Sequence, residues 1–264
     1  MIELGRRLAR HGRLLTAAVL LACAPGPAAT ETSDGDYIPT TRDEALEVLA
    51  NAQDGQRADL RNRDFRGEDL SGVDFKGADL FGAHLRGVPL KGARLAGTNL
   101  DISILREADL EKADLREASL FGVVLVDANL EGANLSGARL IADLQRANLD
   151  RATLVEGRFG ADMKNQPMGK LSTRMVKATL RGADLTGTDL SGCEARFADF
   201  TDAILIDADL SRCDLRNADF SGADMTRTRV AEAMLDGAKF HGIKGKDTLR
   251  GLDSAMGRDA ANFD

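Results

Sequence analysis

Residues 58–80 read ADLRNRDFRGEDLSGVDFKGADL, and the large apolar residues of that stretch, Leu60, Phe65, Leu70, Phe75 and Leu80, stand five positions apart. The spacing continues unbroken through Leu85, Leu90, Leu95, Leu100 and Leu105 to Leu140. It suits neither a helix, whose buried side chains recur at three and four residues, nor a half-buried strand, whose side chains alternate. A fixed period that matches no single element describes a solenoid. Each unit of a solenoid buries its apolar side only by stacking on its neighbours.

The positions around each ladder residue are filtered as well. Two places before it stands a small residue, as at Ala58, Ala78, Ala83, Ala108, Ala128 and Ala138. One place before it is commonly Asp or Asn, as at Asp59, Asp79, Asn99, Asp114 and Asn134, and two places after it Gly recurs, as at Gly67, Gly82, Gly97 and Gly137. The small residue and the Leu are offset by two, so both point inward while Asp points away. Gly supplies a corner without steric cost, and Asp or Asn accepts a hydrogen bond from the backbone of a tight turn. Each unit is one short side and one bend.

These residues resemble the pentapeptide-repeat family, whose consensus is a small residue, Asp or Asn, Leu or Phe, and two variable positions. The resemblance implies an all-β solenoid, a right-handed quadrilateral β-helix with four pentapeptides to a coil and Leu, Phe and the small residue inside. It covers the chain from about Ala58 to about Ile243. Members have diverse roles, so it implies fold far more than activity. Short helical end caps are expected to complete the solenoid. Thr41-Arg42-Asp43-Glu44 ahead of Ala45, Leu46, Val48 and Leu49 reads as a helix opened by a capping box. The tail from Thr248 to Phe263 is expected to cover the other end, with homodimerisation through that tail, as in some relatives, as the alternative.

The order of segments is therefore a leader at 1–29, an N-terminal segment with capping helix at 30–57, repeats at 58–163, an inserted loop at 164–174, repeats at 175–243 and a C-terminal cap at 244–264. In the leader, Arg6, Arg7, Arg10 and Arg13 precede an apolar run from Leu14 to Ala24 and then small residues, the order of a secretory signal peptide. The run of about ten residues is short of the ~20 that span a bilayer. Cleavage near Ala28 or Ala29 predicts a periplasmic or secreted protein. Alternatively, Leu20-Leu21-Ala22-Cys23 reads as a lipobox, which would lipidate Cys23 and anchor the protein in the envelope. Loss of the leader removes four Arg and one Glu and takes the net charge from −7 to about −10. An acidic chain disfavours direct nucleic-acid binding, which needs clustered Lys and Arg.

Two defects interrupt the ladder. Leu144 follows Leu140 after four residues, a deletion of one. After Phe159 the pattern weakens, and Asn165, Gln166, Pro167 and Gly169 predict a loop before regular units resume near Met175. No nucleophile motif, metal spacing or phosphate-binding Gly loop is present, and no cofactor is expected. Carboxylates are abundant because the repeat supplies them. The reading is a secreted, non-enzymatic scaffold for an unknown protein partner in the cell envelope. The alternative, suggested by cytoplasmic relatives, is an acidic DNA mimic that modulates a DNA topoisomerase. A candidate interaction patch is expected where Ile102, Ile104, Phe121, Val124, Val126 and Ile141 replace the usual polar residues in outward slots around one corner. Cys193 and Cys213 occupy inward slots one coil apart and are expected to remain thiols, because in-register side chains keep their Cβ atoms farther apart than a relaxed disulfide prefers.

Overall fold

In a computed structural model, which describes residues 37–53, 55–160 and 172–263, the residue before each buried Leu or Phe bridges in parallel to its equivalent one coil away. On a first face the bridges join Asp59, Asp79, Asn99, Ser119 and Arg139; on a second they join Asp64, His84, Ile104, Val124 and Asp143. Pro89, Asp109, Asn129 and Asn148 run up a third face, and Asp74, Arg94, Asp114 and Asn134 up a fourth. The ladder bonds follow from this register. Leu60 N donates to Asp79 O at 2.9 Å, and Asp79 N donates to Ala58 O at 2.9 Å.

At the corners, the Oδ1 of the Asp preceding the buried residue accepts from the amide two residues on, as from Ser71 N to Asp69 (2.9 Å) and Ser191 N to Asp189 (2.9 Å). Val73 N closes the turn on Leu70 O at 3.2 Å. The Leu, Phe and Ala rows form one continuous core along the axis. Where the small inward slot holds a hydroxyl, that group donates to a backbone carbonyl, as from Thr98 to Leu95 O (2.7 Å) and from Thr228 to Leu205 O (2.7 Å). Burial therefore leaves neither hydroxyl without a hydrogen bond. Phe200, Phe220, Phe240 and Phe263 stack on the third face, with ring centroids 4.8, 5.1 and 4.4 Å apart.

Before the first coil, β1 (Ile38–Pro39) pairs in parallel with β2 (Arg63–Asp64). Helix α1 (Arg42–Asn51) begins with the expected capping box: Thr41 N donates to Glu44 Oε2 at 2.8 Å and Glu44 N to Thr41 Oγ1 at 3.3 Å. Ala45 and Leu49 are buried in the same core as Leu60, and Arg42 N donates to Glu68 of the first coil at 2.8 Å.

The one-residue deletion falls in β4 (Arg139–Asp143), which pairs in parallel with β3 (Ser119–Val124) of the coil below. Phe121 lies opposite Ile141 and Val124 opposite Asp143, so two residues of β3 face the single Ala142, as in a bulge. The shorter coil runs extended through its corner and keeps the stack. Of the loop expected at 164–174, residues 164–171 lie outside the described residues. Thr173 is already buried and Arg174 already bridges to Asp143.

The C-terminal end departs from the expectation of a helical cap. Lys244, Arg250, Met256 and Asn262 bridge to Asp224, Arg229, Met234 and Lys239, so 244–263 forms a further coil. Its sides are six residues long because each includes a 3₁₀ turn, at Lys246–Thr248, Leu252–Ser254 and Arg258–Ala260. Each turn starts after a left-handed glycine. A Cβ on Gly251, for example, would meet Ala231 Cβ at 2.6 Å.

Two outcomes test this packing. Leu130→Ala, which empties a fully buried inward position, is expected to cost about 2–5 kcal/mol in urea unfolding. Ile204→Ala, on an outward slot, is expected to cost less than about 1 kcal/mol. Equal small losses would mean that the interior is not close-packed. Gly122→Ala is expected to cost more than Gly97→Ala: both have φ near +65 to +70, but a Cβ at Gly122 meets Ile102 Cγ2 at 3.2 Å while Gly97 has open space. Adding Ile102→Ala should remove the difference, and a difference that persists would place its cause elsewhere.

Candidate protein-interaction surface

The outward side of the first face and its corner with the second carry the apolar residues singled out in the sequence. Ile102, Ile104, Phe121 and Val124 are half-buried and are brought together by the register. Ile104 bridges to Val124, Ile102 N donates to Phe121 O at 2.8 Å, and Ile102 Cγ2 lies against Gly122. Val126 and Ile141 are instead buried, at 4% and 6% exposure, and leave the exposed patch. The missing residue explains Ile141: with no projecting turn at that corner, Ile141 and Ala142 pass straight along the wall. Val126 sits beneath the same shortened coil, into which Asp127 N donates at Gln145 O.

Ile102 has φ +55, and it is the one β-branched residue in the left-handed region among the described residues. That conformation is rare for a branched side chain and costs on the order of 1–2 kcal/mol. Gly82 and Gly122 flank it in the coils below and above, so its side chain spreads over two residues that have none, reaching within 3.9 Å of a Cβ position at Gly82. Asp101 interrupts the apolar column, but its Oδ1 is held by Phe121 N (2.8 Å) and Ser119 Oγ (2.6 Å).

The column also includes residues that the spacing argument passed over. Phe81 is half-buried one coil below Asp101 and two below Phe121. Arg139 places its guanidinium 5.0 Å from the centroid of the Phe121 ring, a cation–π contact that holds a cation beside the apolar strip. Arg158 bridges to Arg139 from the next coil. Both line an open groove of about 610 Å³ together with Glu117, Ser119, Gly137 and Glu156. Neither arginine has an ion-pair partner among the described residues. A step of twenty residues from Asp101 finds Phe81, and the nineteen-residue step across the shortened coil finds Arg158 from Arg139, once polar and apolar outward slots are read together.

Elsewhere a number of surface charges are matched in pairs. Arg61 pairs with Asp59 at 2.7 Å, Arg116 with Asp114 at 2.6 Å, Arg146 with Asp127 at 2.6 Å and Arg216 with Asp214 at 2.7 Å. Burial works against the charge of Asp214, and the hydrogen bonds from Arg216 more than offset it, so its carboxyl lies below the usual range. Among the described residues no group of three or more His, Cys, Asp or Glu is arranged to hold a metal ion, and no helix is long and apolar enough to cross a membrane. Cys23 lies outside the described residues.

The most strongly shifted carboxyl is Glu111, pulled down to about 2 by hydrogen bonds from Lys112 and from Lys91 of the coil below, whose Nζ atoms lie 2.8 and 2.5 Å away. A folded-state value below the unfolded one means that the contribution is complete above about pH 4.5 and is lost as pH falls through about 2. Carboxyl-resolved NMR titration should place Glu111 well below the ordinary glutamate range. Lys91→Ala with Lys112→Ala should return it to the ordinary range, and an unmoved titration would reject the assignment.

The pentapeptide-repeat model matches this chain in eight copies, over residues 56–92, 83–120, 103–140, 173–205 and 203–242. HetL, a pentapeptide repeat protein involved in heterocyst differentiation regulation in the cyanobacterium Nostoc sp. strain PCC 7120, is 30% identical; the match covers 83% of this chain and 98% of HetL, with a TM-score of 0.51. A trypsin-treated form of QnrB1, a plasmid-mediated fluoroquinolone resistance protein, has the same fold at 15% identity, over 71% of this chain and 89% of QnrB1, with a TM-score of 0.52. No curated protein sequence matches the chain. With a repeat signal over more than half its length and coils stacked in steps of twenty, this chain belongs to the pentapeptide-repeat family, whose members fold as right-handed quadrilateral β-helices.

Proposed function

We propose that the protein is a secreted, non-enzymatic scaffold of the cell envelope that presents one rigid corner to a protein partner. The observation that carries this reading is the contiguous strip formed by Ile102, Ile104, Phe121 and Val124, with Arg139 over Phe121. Contiguous half-buried apolar groups beside an arginine are the composition from which interface centres are built. Ile102 supports the same reading, because a strained branched residue persists only where the surroundings hold it, and such residues cluster at working sites.

In this reading helix α1 covers the first coil by burying Ala45 and Leu49, and residues 1–29 direct export, with Cys23 the lipid-bearing residue if the lipobox is used. HetL is named for a part in regulation, a role consistent with binding rather than catalysis. The alternative, a DNA mimic acting on a topoisomerase, needs a file of unmatched carboxylates in the cytoplasm. Asp59, Asp114, Asp127 and Asp214 are engaged by arginines, and in the present reading residues 1–29 take the chain out of the cytoplasm.

Fractionation of cells making the full chain separates the readings: recovery in the periplasm or membrane is expected, and a purely cytoplasmic protein would favour the mimic. A photo-crosslinking side chain at Ile104 should then capture a discrete protein that the same group at Asp202, on another corner, does not. Phe121→Ser with Val124→Ser should reduce that capture about tenfold or more, the loss expected of an interface centre, without changing the unfolding midpoint by more than a few degrees. Equal capture from both corners, or an unchanged yield in the double variant, would remove the site.

A further inference from the structure

Cys193 and Cys213 fill the same inward slot of successive coils. The ladder through that slot runs from Thr173 to Cys193 to Cys213 to Ala233: Glu194 N donates to Thr173 O at 2.9 Å, Asp214 N to Cys193 O at 2.9 Å and Met234 N to Cys213 O at 2.9 Å. Both side chains are buried, at 1% and 0% exposure. Both are free thiols, as expected, but the two Sγ atoms are not held apart: they lie 2.6 Å from each other, and Cys213 Sγ is also 3.0 Å from Leu190 O. Non-bonded heavy atoms rest at about 3.5–4.0 Å, so the column turns the two thiols toward one another within reach of a bond. They are the two cysteines of the described residues. The chain's third cysteine, Cys23, is 170 residues away in sequence.

We propose that this pair is an oxidation site at which a disulfide-bearing oxidant, small or protein-borne, links two successive coils covalently. One cysteine loses its proton, and the thiolate attacks a sulfur of the oxidant, whose other sulfur leaves as a thiolate. The second cysteine, deprotonated in turn, displaces the oxidant from the mixed disulfide. Two S–H bonds are lost and one S–S bond forms, while the oxidant's disulfide is reduced to two thiols that take up both electrons and both protons. Because the sulfurs are sealed inside the wall, the exchange takes place while the coil is still opening and closing during folding. Once the coil is shut, a reductant in solution has no path to the bond. The staple closes a twenty-residue loop in the repeats that follow the 164–174 interval, where it restricts the unfolded chain. This inference stands apart from the proposed partner site and does not depend on it.

The test uses the full chain carrying Cys23→Ser, unfolded and refolded with a mixture of oxidised and reduced glutathione. After denaturation and alkylation without reductant, mass spectrometry should find the Cys193 and Cys213 peptides joined, at about 2 Da below the sum of the two thiol peptides. Dithiothreitol should release the link only when denaturant is present. Reduction should also lower the unfolding midpoint by several degrees, and Cys193→Ala with Cys213→Ala, which supplies the residue that neighbouring coils use, should fold and lose that dependence on reductant. Full alkylation of both cysteines in a refolded, helically stacked chain, or a link that forms only between separate chains, would overturn the proposal.

Discussion

Everything in this molecule depends on parallel stacking in register at the spacing of neighbouring strands, about 4.8 Å per coil. A side chain on the wall meets its own equivalent from the next coil before it meets anything else. The inward rows are therefore packed column by column: Leu commonly stands over Leu, and Phe200 over Phe220 over Phe240, while Phe65 meets Leu85 and Ala195 sits between Met175 and Leu215. The same rule governs polar groups. Asn99 Nδ2 donates to Asp79 one coil below at 2.9 Å, and Asn129 does the same to Asp109 at 2.9 Å. Contacts that look local in space are twenty residues apart in sequence, so a single substitution acts on three coils.

That constraint explains what was legible in the sequence. Leu60 to Leu140 announced the fold because the period of the chain and the period of the structure are the same quantity, and Thr41 with Glu44 announced α1 because a capping box is a local device. The four-residue step to Leu144 was readable as a deletion, but not that it would bury Ile141, since that follows from how the coil above lies on the one below. The last coil escaped notice for a different reason. Gly245, Gly251 and Gly257 stand six apart, so a search tuned to five ended at Ile243 although the ladder did not. The apolar half of the candidate surface was visible as drift from consensus. Arg139 was not, because an arginine in an outward slot is ordinary until its neighbour is known to be Phe121.

The charged exterior follows from the same geometry. Asp before the buried residue has its Oδ1 committed to the turn, which leaves Oδ2 for a cation two residues on or one coil away, as in Asp114 with Arg116 and Asp219 with Lys239. These pairs are exposed, and each contributes little to stability. Their larger effect is on recognition. Matched pairs flatten the surface potential where they occur, and Arg139 differs from the paired arginines in lying over an aromatic ring instead of a carboxylate.

The six-residue sides of the final coil bear on what the wall tolerates. Lys244, Arg250, Met256 and Asn262 stand six apart, yet they bridge Asp224, Arg229, Met234 and Lys239, which stand five apart. The surplus residue of each side is taken up in a 3₁₀ turn at the corner, and the ladder positions stay in step. Register in this wall is therefore kept by the bridged residues alone, and the corners are free to lengthen without breaking the stack.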